Sequence, residues 1–206
     1  MPLRTASADS FKDLSAEWWQ WALSIPASVN PQLDTTGEDA VVGQRGEVWF
    51  LAGVFLGGTV VRTCSVPEGV ALVFPVANSV QINTPNICGE SPADLSIAEL
   101  RPRAADVINK TTIVSVTLDG HPIKKLRRVQ SRVFAVTLPE DNVFNTPCGG
   151  PGSVPPGIYS PAVDDGFYVL LDKLSAGSHT LQFLVEDPGP GQNVTYHLTV
   201  VAVSTK

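Results

Sequence analysis

The chain has 206 residues, 43% hydrophobic and 17% charged, with a net charge of −6 and a pI near 5.0. That is material for one large domain able to bury roughly 70% of its unfolded surface. Of its 14 basic residues only those in Lys124-Lys125-Leu126-Arg127-Arg128 are clustered. A sequence-independent nucleic-acid surface needs a broader basic stripe and is excluded; no run approaches the ~18 to 20 apolar residues of a membrane span.

Residues 1–9 are expected to form a flexible arm, followed by one domain over 10–206. The first ten residues hold no apolar stretch long enough for a secretory signal, so the chain is either cytosolic or starts after a removed leader. Ser10, with Asp13 three positions on, marks a partial capping box. Phe11, Leu14, Trp18, Trp21, Ala22 and Ile25 recur every three or four positions and predict an amphipathic helix over 10–25, closed by Pro26. At such spacing tryptophans serve as an anchor across a sheet more often than as a platform for a sugar or a base. Trp19, off the stripe on the side of Glu17 and Gln20, is the candidate exception. Residues 30–44 read as a solvated loop; Asp34, Glu38 and Asp39 in it are Ca²⁺ candidates whose spacing does not match an EF-hand.

Three apolar runs, 48–55, 59–66 and 70–77, are separated by Gly57-Gly58 and Pro67-Glu68-Gly69. Short runs rich in Val, Phe and Trp between turn residues predict a three-stranded meander, with Gly57-Gly58 making a tight hairpin. Arg62 interrupts the second run and Asn78 ends the third. A charged group inside an apolar strand needs a partner or water, so Arg62 is expected to pair with Glu17 or Asp34 as a structural ion pair or, alternatively, to clamp a substrate. Cys88 and Cys148 lie in Pro/Gly loops, where a staple would suit, although three unpaired thiols are the alternative; Cys64 reads as a buried apolar residue. A Cys88–Cys148 bridge would favour an oxidising compartment.

A helical insertion is expected over 92–109, kinked or split at Pro102. Strands follow at 111–118, with an Asp119-Gly120 turn and a return through Ile123, and at 132–138. Residues 139–163, with six prolines and Cys148, read as one long irregular segment ending in Asp164-Asp165. Residues 166–171 and 178–185 suggest a hairpin, and 193–204 the last strand.

No nucleophile elbow, P-loop, dinucleotide fingerprint or HExxH motif occurs. His179 and His197 could approach each other from adjacent strands, but without a close-spaced pair they read as structural rather than as a zinc or copper site, as does His121. Glu38-Asp39, Glu140-Asp141, Asp164-Asp165 and Glu186-Asp187 are adjacent acids beside turns, where each pair offers at most one group to a glycosidase-like site; Asp164-Asp165 has the best claim. Asn109-Lys110-Thr111 and Asn193-Val194-Thr195 match the glycosylation pattern, which would mean nothing in a bacterial context.

Glu17-Trp18-Trp19-Gln20-Trp21, Leu23-Ser24-Ile25-Pro26, Asn30-Pro31, Val48-Trp49-Phe50-Leu51-Ala52-Gly53, Arg62-Thr63-Cys64 and Phe74-Pro75-Val76-Ala77-Asn78 together resemble a family of uncharacterised, mostly exported bacterial proteins. The C-terminal Gly166-Phe167-Tyr168-Val169-Leu170-Leu171 and Leu174-Ser175-Ala176-Gly177-Ser178-His179-Thr180-Leu181 are similar to that family and to immunoglobulin-like sandwiches. The resemblance implies a β-sandwich and export, and no established activity. Relatives carry a cysteine near Asp39 or Ala40 that could pair with Cys64; this chain lacks it.

The expected fold is an antiparallel β-sandwich, jelly-roll or immunoglobulin-like, with an N-terminal amphipathic helix and a helical insertion. The expected role is a secreted or periplasmic protein that binds a glycan or protein ligand or self-associates, through Glu17, Trp19, Arg62, Asn78, Asp164 and Asp165. The alternative is a hydrolase or lyase built from Arg62, Asn78 and loop acids such as Asp34, Asp164 or Asp165. A metal-dependent module is a third, weaker reading; no cofactor is expected.

Overall fold

A computed structural model describes residues 8–186 and 191–202. Most of the expected 1–9 arm lies outside the described residues, as does the end of the expected 193–204 strand. The first element is helix α1 (Ala8–Ser24), which begins two residues before the Ser10 cap and stops one short of Ile25. Trp18, Trp19 and Trp21 are all buried. Each indole takes roughly 200 Å² out of water, worth about 5 kcal/mol by area. Each also satisfies its N–H on a different segment: Trp18 donates to the Leu51 carbonyl at 3.0 Å, Trp19 to Asp164 Oδ1 at 2.8 Å, and Trp21 to the Val42 carbonyl at 3.0 Å. The helix is an anchor, and Trp19 is part of it: a sheet on one side and loops on the other bury a wider arc than the apolar stripe alone suggests. Asn30, 1% exposed, closes α1 by donating Nδ2 to the Ala22 and Ile25 carbonyls and accepting the Gln32 N–H on Oδ1.

The chain then builds two sheets of mixed strand orientation. Strand β1 (Val48–Phe50) is short, and residues 51–57 are a loop rather than the end of a strand. Leu56, Gly57 and Gly58, all at positive φ, carry the chain across to the other sheet instead of closing a hairpin. There it runs as β2 (Gly58–Pro67), and Gly69 at φ 92° turns it back into β3 (Ala71–Ile82). The expected meander therefore does not form: β1 and β3 are parallel neighbours in one sheet, and β2 belongs to the other.

Helix α2 (Ile97–Asn109) starts five residues later than residue 92, because Ser96 and Glu99 form a full capping box there. It is one continuous helix with Pro102 inside it. Strands β4 (Thr112–Leu118) and β5 (His121–Pro122) join through Asp119-Gly120, both at positive φ as a type I′ turn requires. The basic cluster runs into an unexpected strand, β6 (Leu126–Gln130), followed by β7 (Phe134–Leu138). Strand β8 (Gly157–Leu171) begins inside what reads as irregular sequence, and Asp164 and Asp165 lie in its middle. Strands β9 (Gly177–Glu186) and β10 (Gln192–Val201) complete the chain. No β8–β9 hairpin exists, since the two strands belong to different sheets.

Sheet I has the order β1-β3-β8, with β6 and β7 in line along the far edge of β8; sheet II has the order β2-β10-β9-β4-β5. The pairs β1/β3 and β2/β10 are parallel and the others antiparallel, so the sheets are not antiparallel throughout. Alternation along β2 sends Val60, Arg62, Cys64 and Val66 inward and Thr59, Val61, Thr63 and Ser65 outward. The inward sides of both sheets share one core, where Phe74 of sheet I stacks on Phe183 of sheet II at 5.6 Å. A second core lies between α1, the outer side of sheet I and residues 139–156. Cys88 and Cys148 form a disulfide with Cα atoms 4.9 Å apart, and Cys64 is free and buried, its thiol pushed up to about 11 mainly by that burial. Asn142 and Asn145, both buried, bond the backbone of that loop to itself at Pro139, Glu140 and Val154. Among the described residues no helix is long and apolar enough to cross a membrane.

Candidate functional site

Arg62 is fully buried, and among the described residues no carboxylate holds it. Its Nε donates to the Asp34 main-chain carbonyl at 2.7 Å, and Nη1 to the carbonyls of Ala52 (2.7 Å) and Gly53 (3.1 Å) and to Tyr196 Oη (2.8 Å). The Tyr196 ring lies beneath the guanidinium, centroid 5.4 Å away. The expected ion pair with Glu17 or Asp34 is thus replaced by a clamp on carbonyls, because loops at 34 and 51–53 present backbone oxygens where the strand places the side chain. The Asp34 carboxylate turns back on its own loop: burial opposes its ionisation, but bonds from the Thr36, Gly37 and Asp39 N–H groups and the Thr36 hydroxyl win and hold it below the usual carboxylate range.

Asp164 and Asp165 point to opposite sides of β8. Asp165 is 1% exposed and bonds Arg128 Nε at 2.8 Å and Gln130 Nε2 at 3.1 Å. Asp164, fully buried, accepts Trp19 Nε1 on Oδ1 and the Tyr168 hydroxyl on Oδ2 at 2.9 Å. Burial raises its pKa to about 8, against the pull of those two hydrogen bonds; the nearby Asp165 charge adds to the rise. It is a neutral carboxylic acid over most of the acid-to-neutral range. Tyr168 Oη in turn accepts Asn78 Nδ2 at 3.1 Å. This chain of bonds, Trp19–Asp164–Tyr168–Asn78, reaches the surface only at Asn78. It needs a glycine at 166, directly across from Asn78: an added Cβ would stand 2.6 Å from Asn78 Cβ and 2.9 Å from the Ala77 carbonyl oxygen.

Asn78 opens into a cleft of about 370 Å³ between the 51–57 loop, the C-terminal end of α2 and the start of β10. Gln32, Gln192 and Trp18 also line it, and among the described residues no ionisable side chain does. Gln192 is committed to scaffold, accepting the Val54 N–H at 2.9 Å and donating to the Val76 carbonyl at 2.7 Å. Gln32, 5% exposed, has a buried Oε1 with no donor among the described residues. Asn78 spends only its Nδ2 on Tyr168, leaving Oδ1 to the cleft. At the rim Leu56 is 63% exposed and sits at φ 66°, a left-handed conformation that a residue other than glycine adopts at an energetic cost and that clusters at functional sites.

Of the six residues expected to form a site, only Asn78 lines this cleft. Arg62, Asp164 and Asp165 are sealed, Trp19 is 5% exposed and Glu17 is exposed on α1. The hydrolase or lyase constellation therefore does not converge on an open pocket. Gln32, Gln192 and Leu56 escape a sequence reading because amides and a lone leucine carry no motif; proximity to Asn30-Pro31 is the one signal Gln32 had. His179 is bound through Nδ1 to Asp119 Oδ2 at 2.7 Å, a bond that raises its pKa, and among the described residues no three His, Cys, Asp or Glu cluster as a metal set.

No family model matches the chain, and no curated protein matches it. Among solved structures, the solution structure of amebosin is similar at 11% identity over 69% of this chain and 96% of that one, with a TM-score of 0.21, too low to bear on fold or function.

Proposed function

We propose that this is an exported, non-catalytic β-sandwich protein that binds a neutral, hydroxyl-bearing ligand, a saccharide, in the Gln32–Asn78 cleft. The observation that carries it is the lining: two amide oxygens free to accept, one of them buried without a donor, beside an indole and an exposed leucine, with no charge among the described residues. A buried acceptor left unpaired costs about 1–3 kcal/mol, which a ligand hydroxyl recovers. Such a site selects for donors and gives acid–base chemistry no group to act through. One core shared by two facing sheets supports the sandwich, with the parallel pairs β1/β3 and β2/β10 as departures from a jelly-roll or immunoglobulin-like plan. The disulfide, together with the resemblance to exported bacterial proteins, supports an oxidising destination.

The test is a glycan array followed by calorimetric titration of the best hit. Gln32→Leu and Asn78→Ala should each weaken binding at least about tenfold, the equivalent of one hydrogen bond of about 1.4 kcal/mol. Glu17→Ala, on the exposed face of α1, should leave it unchanged. Array silence, or affinities indifferent to both cleft substitutions, refutes the proposal.

A further inference from the structure

Among the described residues no element packs over the outer side of sheet II, and its composition is unusual for a solvated face. The outward positions of β2, β10 and β9 are threonine, serine, valine, asparagine, glutamine, leucine and histidine, and the single charged one is Glu186 at the end of β9. Ordinary surfaces carry charge at roughly a quarter to a third of positions, so a face of this size should hold several. The outward stretch of β4, from Val114 to Thr117, adds none. Val61 is 56% exposed and Val201 49% exposed on this face. The register is regular: Val61, Thr195 and Gln182 stand side by side across three strands, and so do Thr63, His197 and Thr180.

We infer that this face is where two copies of the chain meet, sheet II on sheet II. The occupant follows from charge and area. The chain carries −6 overall, so two copies repel through most of their surfaces and least through this face, whose one carboxylate, Glu186, stands at its end; Lys, Asp and Glu are likewise depleted at interface cores. Four strands about 4.8 Å apart, with outward residues repeating about every 6.7 Å, span roughly 19 by 30 Å. Two such faces together bury roughly 1,100 Å², close to the ~1,200 Å² at which specific interfaces begin. Twisted sheets pack face to face at about 10 Å, and a two-fold axis in that plane makes the contact isologous and closed. The result is a weak to moderate dimer, distinct from the ligand cleft.

Sedimentation equilibrium over a broad concentration range tests this on the full chain. The wild type should show a monomer–dimer equilibrium. Thr195→Lys and Thr195→Glu each place a like charge near the centre of both faces and should weaken the dimer roughly 100-fold; an equimolar mixture of the two variants should recover it, since opposite charges then meet. Val61→Lys is the second disrupting variant, and thermal unfolding verifies that these exposed substitutions leave the fold intact. A wild type that stays monomeric throughout, a dimer indifferent to the substitutions, or a mixture that fails to recover association overturns the inference.

Discussion

Replacing Asp164 by asparagine isolates the most consequential buried group in the molecule. In the folded chain its carboxyl titrates at about 8 rather than 3.8 because burial disfavours the charge. The unfolded chain releases the proton near 4, so the folded state binds more protons than the unfolded state between those pH values. The contribution of Asp164 to stability is therefore fully present below about pH 4 and is lost progressively as pH rises to about 8. At about 1.4 kcal/mol per tenfold change in proton affinity, the whole interval corresponds to roughly 6 kcal/mol as a ceiling. Asparagine cannot ionise and keeps a carbonyl for the Trp19 N–H, but its Nδ2 cannot accept the Tyr168 hydroxyl proton, a loss of about 1 kcal/mol. Asp164→Asn should then be slightly less stable than wild type at pH 4.5 and more stable above pH 8, the two curves crossing between. Urea unfolding of both proteins at intervals across that range reads this directly. A difference that does not change with pH would refute the burial account of Asp164.

Arg62→Leu strips donors from three buried carbonyls at once and should lower stability by about 3–5 kcal/mol; Arg62→Lys should rescue little of it in the same urea titration, having no planar fork to span them. Gly166→Ala forces Cβ into the Ala77 carbonyl and Asn78, and should cost about 2 kcal/mol or more by thermal unfolding while abolishing ligand binding at the cleft. Removing the Cys88–Cys148 bridge by a double serine substitution frees a loop of 60 residues, for which chain entropy gives about 4 kcal/mol; unfolding midpoints with and without reductant should differ for the wild type alone. Asn30→Ala uncaps α1 and should lower the unfolding free energy by about 1–2 kcal/mol in urea titration.

The elements were largely legible and their partnership was not. The tryptophan stripe announces α1, and Asp119-Gly120 announces the β4–β5 turn, because period and turn chemistry are local. Gly57-Gly58 is equally local, but positive φ is required both by a hairpin and by a crossing between sheets, and only the distant partners β3 and β10 decide which. Pro161 and the Pro155-Pro156 pair made the start of β8 read as loop, although a 15-residue strand runs through Pro161. Strand β6 hid behind its charges: on an edge strand Arg127 and Arg128 point to opposite faces, one over the Phe11 ring and the other to Asp165. For the site, Asn78 stood out as a polar residue ending an apolar run, whereas Gln32 and Gln192 are brought to it from 46 and 114 positions away by docking that no spacing encodes.

The parallel pairing of β2 with β10 joins chain segments 134 residues apart at Arg62 and Tyr196. During synthesis β2 therefore waits, with an open hydrogen-bonding edge and an arginine aimed into unfinished core, until nearly the whole polypeptide has been made. Contacts of such long range slow folding by delaying their own reward, and they make the last strand a keystone: a chain cut before Gln192 would retain both helices and all of sheet I yet lose the tyrosine beneath its buried cation.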